Sequence, residues 1–178
     1  AKFQTWRKMN VADSNLPDAD RLKRVNELFN RQIRFGTDPD IWNSPDYWAS
    51  SLETIGQSAG DCEDFVIAKY FTLQMMGVEP GRLRLTYVKA KIGGVNSTVT
   101  QAHMVLAYYA QPDAEPLVLD NLITDIRPAS RRPDLLPVFS FNSDGIWVPG
   151  GAQPKSSVEK LSRWTDLVAR MKAEGFDF

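Results

Sequence analysis

Apolar positions along the chain change their period once. Up to about residue 77 they recur every three or four residues, and from residue 82 they alternate or run together. After a polar lead-in, Leu22, Val25, Leu28, Phe29 and Ile33 predict an amphipathic helix from Asp18 to Phe35, ended by Gly36. A loop through Asp38-Pro39 and Asp40 follows. Ser44 then reads as an N-cap and Pro45 as the first position of a second helix with Tyr47, Trp48, Leu52 and Ile55 on its apolar side. Gly56-Gln57-Ser58-Ala59-Gly60 reads as a flexible approach to a third helix, Asp61 to Met76, stopped by Gly77. Asp61 and Asp64 can cap this helix reciprocally. Apolar residues go most of the way round it from Phe65 to Met76, so it is predicted to be buried and central.

Beyond Gly77 the pattern is that of strands. Arg82 to Tyr87 alternates, Gly93-Gly94 marks a turn, and Ala102 to Ala110 is apolar on both faces, as expected of a central strand. Pro116 to Asn121 returns beside it. With a four-residue loop from Ala110 to Asp113, Tyr109 would oppose Ala114, Val105 would oppose Val118, and His103 would oppose Asp120. Val138 to Phe141 and Ile146 to Val148 predict a second hairpin across Asn142-Ser143-Asp144-Gly145. A capping box of Ser156 and Glu159 opens a closing helix through Leu161, Trp164, Leu167, Val168 and Met171, stopped by Gly175. Helices, then an antiparallel sheet, then one helix predict an α+β fold, and 178 residues suit a single domain over residues 1–178.

Composition narrows the function. A net charge of −1 with no basic run argues against nucleic-acid binding. No stretch approaches 18 consecutive apolar residues, and Ala1-Lys2-Phe3 does not begin a signal peptide, so no direct membrane insertion is expected. One Cys and one His exclude an internal disulfide and a four-ligand structural zinc site.

The chemistry concentrates at the start of the third helix. Cys62 stands in its first turn, where unpaired N–H groups and the helix dipole favour a thiolate. His103, the single histidine, lies in the central strand, and Asp120 ends the returning one. A thiolate, a base that takes its proton and an acid that orients the base form a nucleophile–base–orienter set. Gln57 is a candidate second oxyanion donor. Trp42, Trp48 and Tyr70 are candidate walls of a substrate site beside Cys62. The same three residues would equally serve a transglutaminase or an acyltransferase with an amine acceptor.

Gly60-Asp61-Cys62-Glu63-Asp64-Phe65 with Ala68-Lys69-Tyr70, Ala102-His103-Met104-Val105-Leu106, and Leu117-Val118-Leu119-Asp120-Asn121 resemble the bacterial transglutaminase-like cysteine proteinases of the LapG type. The likeness runs from about Phe29 through Trp147. It implies a papain-like or transglutaminase-like fold and a periplasmic, calcium-dependent endopeptidase. Such an enzyme cuts a large biofilm adhesin near its N-terminus at a di-alanine site. It also implies restraint by a LapD-type inner-membrane receptor for cyclic di-GMP. By position, Cys62 is then the nucleophile, His103 the general base and Asp120 its orienter, and the metal ligands fall on Asp61 and Glu63, with Asp64 a third.

Charge leads to the same metal independently. One carboxylate about 8 Å from a thiol, at an effective dielectric of about 20, costs the thiolate about 2 kcal/mol, or about 1.5 pK units. Two or three acids would cancel the help from the helix terminus. A hard divalent cation on those oxygens removes the repulsion, and an oxygen-only donor set points to Ca²⁺. A non-catalytic calcium-binding interaction module is the remaining alternative.

Overall fold

The computed structural model describes residues 2–12, 15–37, 47–149, 151 and 153–176. The predicted Ser44 cap, Pro45 and Trp42 lie outside these residues. The described helices are α1 (Lys2–Ala12), α2 (Asp18–Gln32), α3 (Ser51–Gln57), α4 (Cys62–Met75) and α5 (Ser162–Ala173). The strands are β1 (Arg34–Phe35), β2 (Ala59–Gly60), β3 (Leu83–Lys91), β4 (Thr100–Tyr108), β5 (Leu117–Leu119), β6 (Arg127–Pro128), β7 (Leu135–Asn142) and β8 (Gly145–Trp147). Strands β3 to β8 form one antiparallel sheet in the order β6-β5-β4-β3-β7-β8. The α+β expectation therefore holds.

Helix α4 is the core of the molecule, as its all-round apolar pattern predicts. Every residue from Asp64 to Leu73 is buried, and its partners are Leu85, Met104, Leu106, Leu119 and Phe141 on the sheet's inner face. Helix α5 closes the other side, where Trp164 stacks on Phe71 at 5.5 Å and meets Tyr70 edge-on at 5.7 Å. The outer face of the sheet carries a smaller apolar cluster of Val88, Val105 and Val118.

Several expectations are corrected. The polar lead-in is helical, held by one buried Trp6 whose Nε1 donates to Thr72 Oγ1 at 2.9 Å, and a single anchor leaves almost no periodic signal. The first predicted helix stops at Gln32, because Arg34–Phe35 leaves the helix to pair in parallel with Ala59–Gly60. The approach to α4 is thus no flexible loop: Gly56 and Gln57 end α3, and Ala59–Gly60 form a buried, paired strand. The closing helix starts at Ser162, and its predicted capping box is replaced by a short 3₁₀ turn, Val158–Lys160, capped by Ser157.

The hairpin register also differs. Leu106 opposes Leu119 and Ala107 opposes Val118, a slip of two residues from the predicted pairing. An even slip keeps every side chain on its face, so His103 and Asp120 still share one face, now as diagonal rather than direct neighbours. The slip has a cause in the loop, which runs from Tyr109 to Pro116 and so has eight residues in place of the four assumed.

Candidate active site

Backbone constraints fix where Cys62 stands. Asp61 is the N-cap of α4, its Oδ1 accepting from the Asp64 N–H at 3.0 Å while Asp64 Oδ2 accepts from the Asp61 N–H at 3.2 Å. Asp64 Oδ1 also accepts from the Ala49 N–H at 3.0 Å, which ties the segment before α3 to the same carboxylate. Just upstream, Gly36 N–H donates to the Gly60 carbonyl at 2.9 Å. A Cβ on Gly60 would come within 2.8 Å of Asp64 Cβ, so this glycine lets the approach strand lie against the cap. Gly60→Ala is therefore expected to lower the urea midpoint by the equivalent of about 1–3 kcal/mol.

The sulfur sits in a half-buried position between acids and an amide. Sγ contacts Glu63 Oε2 at 3.4 Å, and the Met104 backbone N–H donates to it. Burial, followed by the charges of Glu63 and Asp61, pushes the thiol far above its ordinary range, and the Met104 amide works against them. With bare carboxylates this cysteine would be a poor nucleophile.

The base and its acid are joined. His103 Nε2 and Asp120 Oδ1 are 2.7 Å apart, with the imidazole 7% exposed and the carboxylate 1% exposed. Among the described residues the other ring nitrogen, Nδ1, has no hydrogen bond, and none joins Sγ to the imidazole. The peptide joining His103 to Met104 is what the two share, since its N–H reaches the sulfur. Burial raises the Asp120 carboxyl, but the hydrogen bond and charge of His103, the Arg132 guanidinium and the Leu122 N–H outweigh it and leave the acid below its usual range.

Arg132 and Lys69 complete the surroundings of Asp120, and neither was read from the sequence as part of the site. Arg132 Nη2 donates to Asp120 Oδ2 at 2.8 Å and to Asp134 Oδ2 at 3.1 Å from a position 2% exposed. On the other side Lys69 Nζ donates to Asn30 Oδ1 at 2.8 Å, and Asn30 Nδ2 donates to the Asp120 carbonyl at 2.8 Å. The one available signal was a lysine inside an otherwise apolar helix. Desolvation pulls the Lys69 ammonium down to about 7. Between pH 7 and 10 the unfolded chain then holds a proton the native chain has released, so native stability gains up to about 1.4 kcal/mol per pH unit from this group. The stability difference between Lys69→Met and the natural chain should shift accordingly in favour of the natural chain as pH rises from 6 to 9 in urea titrations.

Other expected site residues lie elsewhere. Gln57 is exposed at the end of α3 and makes no described contact with the sulfur. Trp48 stacks on Phe141 at 5.8 Å and Tyr70 is fully buried, so both belong to the core. Among the described residues no three acid, His or Cys side chains converge on a metal position. Asp61 and Glu63 nevertheless fit a hard cation, since both are half-buried oxygen donors whose charges bear on the same sulfur. Asp64 is already engaged with two backbone amides. No described helix is long and apolar enough to cross a membrane.

Comparison with known proteins agrees with this fold. No curated protein matches the chain. Calcium-bound LapG of Legionella pneumophila superposes with a TM-score of 0.82 at 42% identity, covering 96% of this chain and 89% of its own. The EGTA-treated form of the same protein gives 0.84 at 42% identity, covering 96% and 88%. Residues 4–147 match the family described as bacterial transglutaminase-like cysteine proteinase, and the chain belongs to that family.

Proposed function

We propose that this protein is a calcium-dependent periplasmic cysteine endopeptidase using Cys62, His103 and Asp120. The observation that supports the reading is the buried 2.7 Å His103–Asp120 pair, on a strand whose Met104 amide faces the thiol at the start of α4. With Nε2 held by Asp120, Nδ1 is the nitrogen left to take the proton from Sγ when substrate is bound. Cys62 then attacks the scissile carbonyl, and its own N–H in the first turn of α4 stabilises the oxyanion together with a second donor. His103 returns the proton to the leaving amine, and water hydrolyses the thioester.

Asp61 and Glu63 would hold the calcium ion, with Asp64 bracing the turn beneath them. Bound there, the ion supplies positive charge that offsets the carboxylates' opposition to the Cys62 thiolate. Resemblance to the LapG type supports a large biofilm adhesin as substrate, cut near its N-terminus at a di-alanine site, and restraint by a LapD-type cyclic di-GMP receptor. Size analysis of an adhesin N-terminal fragment after incubation tests the reading. Two products are expected with calcium, and none with excess chelator or with Cys62→Ser. Crosslinking to an added primary amine in place of cleavage would instead mark a transferase, and turnover by the Cys62→Ser protein would refute the nucleophile.

A further inference from the structure

The outer face of the sheet holds a cavity of about 530 Å³ that is lined by none of Cys62, His103 and Asp120. Its floor follows from the strand register. Arg84 opposes Ala107 and Thr86 opposes Val105 across β3 and β4, and Ala107 opposes Val118 on β5, so these side chains share one face. The short side chain of Ala107, between Arg84 and Val118, leaves the floor hollow, and three loops wall it in through Pro112, Ala129 and Pro149. A volume of this size, with apolar walls and few polar groups, is that of a small-molecule pocket.

Two arginines line the cavity, and their surroundings differ. Arg132 is 2% exposed and already matched, since Asp120 and Asp134 both accept from its Nη2. Arg84 is 6% exposed, and no described carboxylate pairs with it. Its Cζ lies 4.2 Å from the centroid of the Tyr109 ring and 4.1 Å from that of Trp147, and it donates a hydrogen bond to Tyr109. The rings hold the cation but bring no full negative charge. Arg84 Nε has no partner among the described residues, and neither has the indole Nε1 of the adjoining Trp147. Both groups are donors, so what they lack is an acceptor. Asp113, the one acid along the cavity's lining, is exposed and does not pair with Arg84. A buried guanidinium without a counter-charge is costly, and a ligand carboxylate would supply one in the bidentate geometry that arginine favours.

We infer that this cavity binds a small carboxylic acid with an apolar body, its carboxylate on Arg84 and its chain along Val105, Val118 and Leu135. An amine or a metal ion would be repelled by the Arg84 charge, and a sugar would leave its hydroxyls against an apolar floor. The site is independent of the protease reading, since it uses neither the thiol nor the acids around it.

The probe is sodium octanoate, titrated into the protein by calorimetry beside octan-1-ol and sodium acetate. Saturable binding at one site is expected for octanoate, with the alcohol and acetate at least about tenfold weaker, because each keeps only one part of the recognition. Arg84→Gln should weaken octanoate at least about tenfold and leave octan-1-ol unchanged. Ala107→Ile keeps the guanidinium but fills the hollow, so it should weaken both compounds, and it replaces the first variant if that one fails to fold. In methyl NMR spectra of the natural chain, the Val105 and Val118 signals should shift with octanoate along the same saturation curve. Octanoate held no better than octan-1-ol, undiminished in Arg84→Gln, or bound without moving those two valines would overturn the inference and leave Arg84 a structural strut between two rings. Absence of saturable octanoate binding would overturn it as well.

Discussion

His103→Ala and Asp120→Asn should each lower kcat/KM for the adhesin fragment by about 10⁴-fold, and Cys62→Ser by at least as much. His103 has one nitrogen on Asp120 Oδ1 at 2.7 Å and one without a described partner, so in the proposed mechanism removing the ring removes the proton acceptor for the thiol. Asp120→Asn keeps the shape but presents an amide where Nε2 now finds a carboxylate, which disfavours the tautomer needed at Nδ1. Double replacement of His103 and Asp120 should cost little more than either alone, since the pair acts as a unit. Steady-state cleavage rates check this, with urea unfolding to confirm that each variant is native. Additive losses would separate Asp120 from the mechanism.

The second large effect is on stability. Arg132→Met leaves Asp120 buried with one cationic partner fewer and Asp134 without its bidentate guanidinium, and breaking such a pair costs about 3–5 kcal/mol. The pH dependence follows from the depressed Asp120 carboxyl. A native acid below its unfolded value stabilises the fold above about pH 4, and this contribution is lost as pH falls through the native value. In Arg132→Met the carboxyl rises, so the deficit should be full at pH 7 and shrink as the solution is acidified. Urea titrations from pH 3 to 7 read this directly, and a deficit independent of pH would assign Arg132 to packing alone.

Much of this site is legible in the sequence because its parts obey local rules. Asp61 and Asp64 cap α4 as their spacing requires, and the all-round apolar run from Phe65 places that helix at the centre. His103 and Asp120 meet although the predicted register is wrong, since a slip of two preserves the face and the diagonal remains within side-chain reach. Arg132 was not legible. It stands 12 residues beyond Asp120, after the β6 strand and in the residue ending a 3₁₀ turn, and no short-range spacing links the two. The parallel pairing of Arg34–Phe35 with Ala59–Gly60 was missed for a like reason, because two-residue strands leave no period to detect. Side chains packed by distant elements misled in the opposite direction. Trp48 and Tyr70 look available for a substrate wall in sequence, yet Phe141 and Trp164 claim them.

In the proposed mechanism, Asp61 and Glu63 oppose the ionisation of Cys62 until a cation binds them. The pH dependence of Cys62 carbamidomethylation by iodoacetamide, followed with calcium and with excess chelator, tests it without any substrate. With calcium the rate should rise through a midpoint at least one pH unit lower than with chelator, and the gap should narrow in Glu63→Gln. Profiles that superimpose with and without calcium would contradict the account.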